Sequence, residues 1–291
     1  MKNIRVNVAI LISMFLLVLL PGVKAQAAGA YAVSFNEENK MIASYNETQI
    51  TNTYLSLVGS GTEYKVVKPG TKKSKIYYFD NEGIGDVYSG TGYVKISYDG
   101  KKKEYYAKKG VIQKDKIVGS KKQGYAYVDS TGIRIKDKTV QYAVKFVVAH
   151  TKSSDKKSVK LRKCYTYLHT HYPYKRYYEG LYPKAKDLSK MGQQMFKEKK
   201  GNCHRYAICF AYIARVLGYD SKVVVGDTGR IGGGWTPHGW ALVKNGKNWY
   251  VCDPDMELHN VDAYMKSVSP VRTKVTRTCK LTIKNGKVVW K

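Results

Sequence analysis

Gly201-Asn202-Cys203-His204-Arg205-Tyr206-Ala207 opens a stretch that continues Ile208-Cys209-Phe210-Ala211-Tyr212-Ile213-Ala214-Arg215-Val216-Leu217 and stops at Gly218. From Tyr206 to Leu217 only Arg215 is charged, so the pattern predicts a helix buried on most of its sides. Gly218 is a natural stop, because glycine takes up the left-handed conformation that closes a helix. Asn202 is the predicted N-cap, which places Cys203 in the first turn. Unpaired backbone N–H groups and the positive end of the helix dipole favour an anion there, and the thiolate is the reactive form of cysteine.

A buried helix needs a partner surface, and the chain downstream offers one. Lys244-Asn245-Gly246-Lys247 carries the Asn-Gly of a two-residue type I′ loop, flanked by Gly239 to Val243 and Asn248 to Asp253. With Asn245 and Gly246 as the loop, Leu242 is expected opposite Trp249, Trp240 opposite Val251 and His238 opposite Asp253, all on one side of the ribbon. Opposed Cβ atoms lie ~4.5–5.5 Å apart, close enough for a carboxylate to hold an imidazole in one tautomer. The apolar side bearing Trp240 and Leu242 is expected to pack on the Cys203 helix. A thiolate at a helix start and an aspartate-oriented histidine are the parts of a nucleophilic catalyst.

Gly201 to Ala207, Gly218-Tyr219, Val223-Val224-Val225-Gly226, His238-Gly239-Trp240 and Trp249-Tyr250-Val251-Cys252-Asp253-Pro254 together resemble the bacterial branch of the transglutaminase-like superfamily, over roughly residues 155 to 260. The resemblance implies an α+β fold: a papain-like, transglutaminase-like core with the cysteine at the start of a central helix packed on an antiparallel sheet. It implies Cys203 as nucleophile, His238 as general base and acid, and Asp253 as the orienting residue. The family includes cross-linkers, peptidases, amidases and inactive members. The implied function is therefore a thiol enzyme acting on peptide or glutamine-type amide bonds through a cysteine thioester, as a protease or amidase or by acyl transfer. The alternative is a non-catalytic wall- or peptide-binding adhesion protein on the same fold.

The Cys203 N–H is the first oxyanion donor, and Gln193 and Gln194 are candidates for the second. Gly232-Gly233-Gly234-Trp235 reads either as a lip over the acyl groove, with Trp235 as a wall, or as a flexible connector, and Trp240 is a further substrate-binding candidate. Cys164, Cys209 and Cys252 read as small buried hydrophobes, and Cys279 as a free or paired thiol. His204 is expected to point away from the nucleophile, and the His169-x-His171 pair lacks neighbouring ligands. Without a C-x-x-C pair, calcium loop, phosphate-cradling glycine motif or dinucleotide fingerprint, the sequence predicts no metal and no cofactor.

Upstream, Gln141 to Tyr174 turns helical, with Ser154 or Asp155 as N-cap of a second helix that Pro173 ends; a short amphipathic segment follows from Leu188 to Phe196. A domain covering 138–291 is expected, preceded by a β-hairpin-rich region over 28–137. In that region Asp99-Gly100 is a hairpin signal that sets Lys95 opposite Glu104 and Tyr93 opposite Tyr106. Aromatic clusters followed by glycine recur at Tyr77-Tyr78-Phe79, Tyr105-Tyr106 and Tyr125-Ala126-Tyr127, a pattern that resembles the cell-wall-binding repeats of Gram-positive surface proteins. Trp is absent between residues 28 and 234, which weakens an aromatic ligand cage and leaves a plain β spacer with packed tyrosines as the alternative. A second Lys-Asn-Gly-Lys, at 284–287, predicts a closing ribbon from Leu281 to Trp290.

At the N-terminus, Lys2 and Arg5 precede an apolar run of 13 residues from Val8 to Leu20, then Pro21-Gly22 and an Ala25-Gln26-Ala27 cleavage pattern. Residues 1–27 read as a secretory signal peptide, its run short of the ~20 residues a spanning helix needs, so the mature form has no transmembrane span and is secreted, extracellular or wall-associated. Cleavage removes Lys2, Arg5 and Lys24 and no acid, lowering the net charge from +29 to +26. With 43% hydrophobic residues and 26 tyrosines among 291 residues, the chain is no disordered polyelectrolyte. The expected partner is a protein or peptide substrate, with no specific nucleic acid; the positive charge reads either as a solvated face that gives solubility and loose wall association or as a site for an anionic cell-wall polymer.

Overall fold

The computed structural model describes strand backbones at 31–35, 41–45, 48–49, 57–58, 63–67, 74–78, 91–98 and 101–108, and then residues 111–230 and 232–291. The signal-peptide segment and the Asp99-Gly100 turn lie outside the described residues. The chain divides into two units, residues 1–114 with 132–134, and residues 115–131 with 135–291.

In the first unit β1 (Tyr31–Phe35), β2 (Met41–Tyr45) and β3 (Thr48–Gln49) form one antiparallel sheet. A second sheet runs β4 (Leu57–Val58), β5 (Glu63–Val67), β6 (Ser74–Tyr78), β9 (Val111–Ile112), β8 (Lys101–Lys108), β7 (Thr91–Tyr98). β7 and β8 pair in the predicted register, Tyr93 opposite Tyr106 and Lys95 opposite Glu104. The two tyrosine rings meet edge to face at 5.0 Å, and Arg134 stacks 4.2 Å over Tyr93 while pairing with Glu104 at 3.1 Å. Val94, Tyr105, Ala107, Ile112 and Ile133 make a small core.

The second unit opens with the hairpin β10 (Lys116–Ser120) and β11 (Gly124–Val128). Four helices follow: α1 (Lys138–His150), α2 (Lys157–His171), α3 (Ala185–Glu198) and α4 (Cys203–Val216). Asp137 caps α1 by accepting from Val140 N at 2.9 Å. The N-cap of α2 is Lys156 rather than Ser154 or Asp155, because Asp155 is committed to Lys152 N and the Lys163 ammonium, each at 2.8 Å. All fourteen residues of α4 are buried, as its apolar sequence requires. The sheet beside it is antiparallel throughout, in the order β14 (Asn248–Cys252), β13 (Trp235–Asn245), β12 (Ser221–Gly229), β15 (Thr273–Lys284), β16 (Lys287–Trp290). This is the expected α+β arrangement, a central helix on an antiparallel sheet. A one-turn helix, α5 (Pro254–Glu257), follows β14.

Two expectations about the β13–β14 ribbon are corrected. Asn245 pairs with Asn248, Lys244 with Trp249 and Leu242 with Val251, so the loop is Gly246-Lys247 and not Asn245-Gly246. Gly246 takes φ +61 as first loop residue, the position where a type II′ turn needs glycine. The shift moves each cross-strand partner by two positions and leaves every side chain on its own face, so alternation alone could not detect it. Nor does the Trp240 and Leu242 face pack on α4. Val223, Val225, Ala241 and Val243 enter the main core with that helix, whereas Trp240 and Leu242 join Val224 and Val251 in a separate cluster. The small side of the strand, Gly239 and Ala241, lets the helix approach; a Cβ on Gly239 would stand 2.6 Å from His204 Cδ2 and 3.2 Å from His204 Cα. Among the described residues no helix is long and apolar enough to cross a membrane.

Candidate active site

Asn202 caps α4 as its sequence predicts, its Oδ1 accepting from Arg205 N at 3.3 Å. Cys203 therefore occupies the first helical position, only 6% exposed. Its Sγ lies 3.5 Å from His204 Nδ1 and 4.0 Å from the carbonyl oxygen of Pro237. His204, expected to point elsewhere, thus lies beside the sulfur. Its pKa is pushed down to about 4 by burial and then by the positive field of His238 and Arg205.

His238, on β13, and Asp253, immediately after β14, meet with His238 Nε2 2.6 Å from Asp253 Oδ2. The contact is not a cross-strand pair: with the observed register the ribbon's pairing ends at Ala241 and Cys252. Asp253 instead turns out of the sheet to cap α5, its Oδ1 accepting from Asp255 N at 3.2 Å and Met256 N at 3.4 Å. One carboxylate oxygen fixes the turn and the other holds the imidazole. Tyr165 on α2 braces this corner, its hydroxyl 3.0 Å from both the Asp253 carbonyl and Glu257 Oε1.

The Asp253 bond leaves His238 Nδ1 for the sulfur. A ligating atom from each of Cys203, His238 and Asp255 lies within 4.8 Å of the others. Burial works against a charge on His238, but Asp253 and Cys203 outweigh it and hold its pKa well above the ordinary histidine value. Asp255, absent from the sequence expectations, is 5% exposed, with Oδ2 3.7 Å from His238 Nδ1 and Oδ1 without a hydrogen-bond partner. Burial and then the charge of Asp253 push its pKa up to about 6, against the pull of His238 and His259. The neighbouring Asp-Pro-Asp was a visible signal, but only folding brings its second aspartate to the imidazole.

Trp240 is buried, its ring 6.0 Å from and nearly parallel to that of His238, where it backs the imidazole. Trp235 sits under Lys274, whose Nζ is 4.1 Å from the ring centroid, after three glycines with positive φ. Gln194 has both ends occupied: Oε1 accepts from Arg205 at 3.0 Å and Nε2 donates to Glu198 Oε1 at 2.8 Å. It lines a cavity of about 760 Å³ with Gln193, Arg176, Tyr177 and Arg205. Tyr174 is drawn beside the Cys203 loop by backbone bonds from Gly201 N to Pro173 O (3.3 Å) and Lys175 N to Gly201 O (2.6 Å). All five cysteines are free and buried, and burial pushes Cys164 and Cys252 up to about 12.

Residues 144–254 match the family model of the Transglutaminase-like superfamily, a span that contains Cys203, His238 and Asp253. Among solved structures, a chain described as a "Putative Cysteine Protease from Cytophaga hutchinsonii" matches 69% of this chain and 79% of its own, at 11% identity and a TM-score of 0.31. No curated protein matches the chain.

Proposed function

We propose that this protein is a thiol hydrolase of peptide or carboxamide bonds, secreted and associated with the cell wall. One observation carries the reading: a cysteine at the start of a buried helix stands within 4.8 Å of an imidazole whose far nitrogen is held 2.6 Å from a buried aspartate. In this reading His238 accepts the Cys203 proton, and the thiolate attacks the substrate carbonyl carbon. The Cys203 backbone N–H faces the developing oxyanion. Collapse of the tetrahedral species breaks the C–N bond, His238 returns the proton to the leaving amine, and a thioester remains. Water activated by His238 then releases the acid; an amine in place of water would make the same step a transamidation. Asp253 keeps Nε2 protonated and Nδ1 toward the sulfur throughout.

The N-terminal apolar run and cleavage pattern support export, and a mature charge of +26 supports an anionic polymer or acidic peptide partner. The tyrosine-rich hairpins upstream are the candidate wall-binding part. The test is mapped iodoacetamide labelling of the full chain between pH 4 and 9. Cys203 should alkylate much faster than an ordinary exposed thiol at acidic pH and lose that advantage in His238→Ala. A Cys203 no faster than an ordinary exposed thiol would leave the binding-protein reading in its place, and that reading requires Cys203→Ala to retain function.

A further inference from the structure

Asp255 has no part in the thiol chemistry, yet it is buried against the same imidazole nitrogen that faces the sulfur. We infer that Cys203, His238 and Asp255 form a site for a borderline-soft divalent cation, zinc above all, whose occupancy switches the thiol off. The inference concerns the three side chains alone and stands whether or not the chain turns over a peptide bond.

The donor set is a sulfur, an imidazole nitrogen and a carboxylate, with an open fourth position, the combination that selects zinc over magnesium or calcium. Around a tetrahedral zinc the donors stand about 3.3–3.7 Å apart, as its bond lengths require. The Asp255 Oδ2 to His238 Nδ1 separation is already 3.7 Å, and the full set lies within 4.8 Å, so closure asks for about 1 Å of side-chain movement. Metal-bound histidines donate their other N–H to a carboxylate, and Asp253 on Nε2 at 2.6 Å is that outer partner, selecting the tautomer with its lone pair on Nδ1. Asp255 Oδ1 is buried without a partner, a polar atom that a cation beside its carboxylate would compensate. Electrostatics agree: thiolate and carboxylate bring two negative charges, which a divalent ion cancels among side chains that are each buried. Binding expels the proton shared by Cys203 and His238, and any on Asp255, to solvent. No sequence motif announces the site, because its ligands come from a helix start, a strand and a one-turn helix.

The probes are zinc and cobalt chlorides added to the chelator-stripped full chain. Cobalt should give a near-ultraviolet sulfur-to-metal charge-transfer band that Cys203→Ser abolishes, and Asp255→Asn should weaken binding by more than about tenfold. On the wild-type chain, stoichiometric zinc should block iodoacetamide at Cys203, and chelator should restore the rate. Unchanged alkylation in the presence of zinc, or an Asp255→Asn chain that folds and binds cobalt as tightly as wild type, overturns the inference. The alkylation arm needs no variant, so a misfolded Asp255→Asn leaves the test intact. Rapid alkylation without zinc protection would sink this site while sparing the thiol-enzyme reading.

Discussion

Asp253 divides its carboxylate between two tasks, holding His238 Nε2 at 2.6 Å through Oδ2 while Oδ1 caps the helix that begins at Pro254. Asn and Ala separate those tasks. Asp253→Asn keeps an oxygen for the cap but can offer Nε2 an N–H, favouring the wrong tautomer. Turnover should fall by on the order of 10³-fold or more with nearly unchanged stability. Asp253→Ala should lose the cap as well, at about 1 kcal/mol. Cys203 alkylation rates beside urea midpoints distinguish the two variants.

The Tyr165 hydroxyl is shared between the Asp253 carbonyl and Glu257, both at 3.0 Å. Tyr165→Phe removes that donor from a buried corner and should destabilise the chain by about 1–3 kcal/mol. The Cys203 alkylation rate should fall less than in Asp253→Asn, because Asp253 keeps its own bond to the imidazole.

Gly239 is the position where the central strand touches the start of α4. Gly239→Ala places a methyl 2.6 Å from His204 Cδ2 and should cost about 1–3 kcal/mol. Adding His204→Ala removes the ring but not His204 Cα at 3.2 Å, so part of the loss should return. Denaturation midpoints of the two single variants and the double variant measure that coupling.

His150 and His169 are half-buried on α1 and α2, and burial is the largest cause lowering both pKa values from 6.5. The unfolded chain therefore takes up protons first as pH falls. Stability should be full above about pH 6.5 and decline as pH drops through the folded values below it. The double variant His150→Gln, His169→Gln should show a smaller drop in urea midpoint between pH 7 and pH 5. An equal drop in both chains would locate the acid sensitivity elsewhere.

What was legible in the sequence is what a few neighbouring residues decide. The Cys203 helix, its Asn202 cap and the alternation of β13 follow from local hydrogen bonding and apolar periodicity. The Tyr93–Tyr106 register follows in the same way from its turn and its matched cross-strand pairs. The two Lys-Asn-Gly-Lys turns mark the limit. At 284–287 the tetrapeptide forms the predicted loop, with Asn285 and Gly286 at positive φ and Lys284 opposite Lys287. At 244–247 the same four residues form a different loop, and partners move by two positions. There the long-range bond at the turn, Gly286 N donating to Asp129 Oδ2 at 2.8 Å, is compatible with the loop the tetrapeptide prefers at 284–287. The β13–β14 ribbon is tied to Asp220 through Lys244 N and to Lys266 through Val251. Those distant bonds outweigh the turn's own preference, and a two-residue shift leaves the hydrophobic pattern unchanged. The approach of Asp255 to His238 is of the same kind. It depends on where three separate elements end in space, which only packing decides.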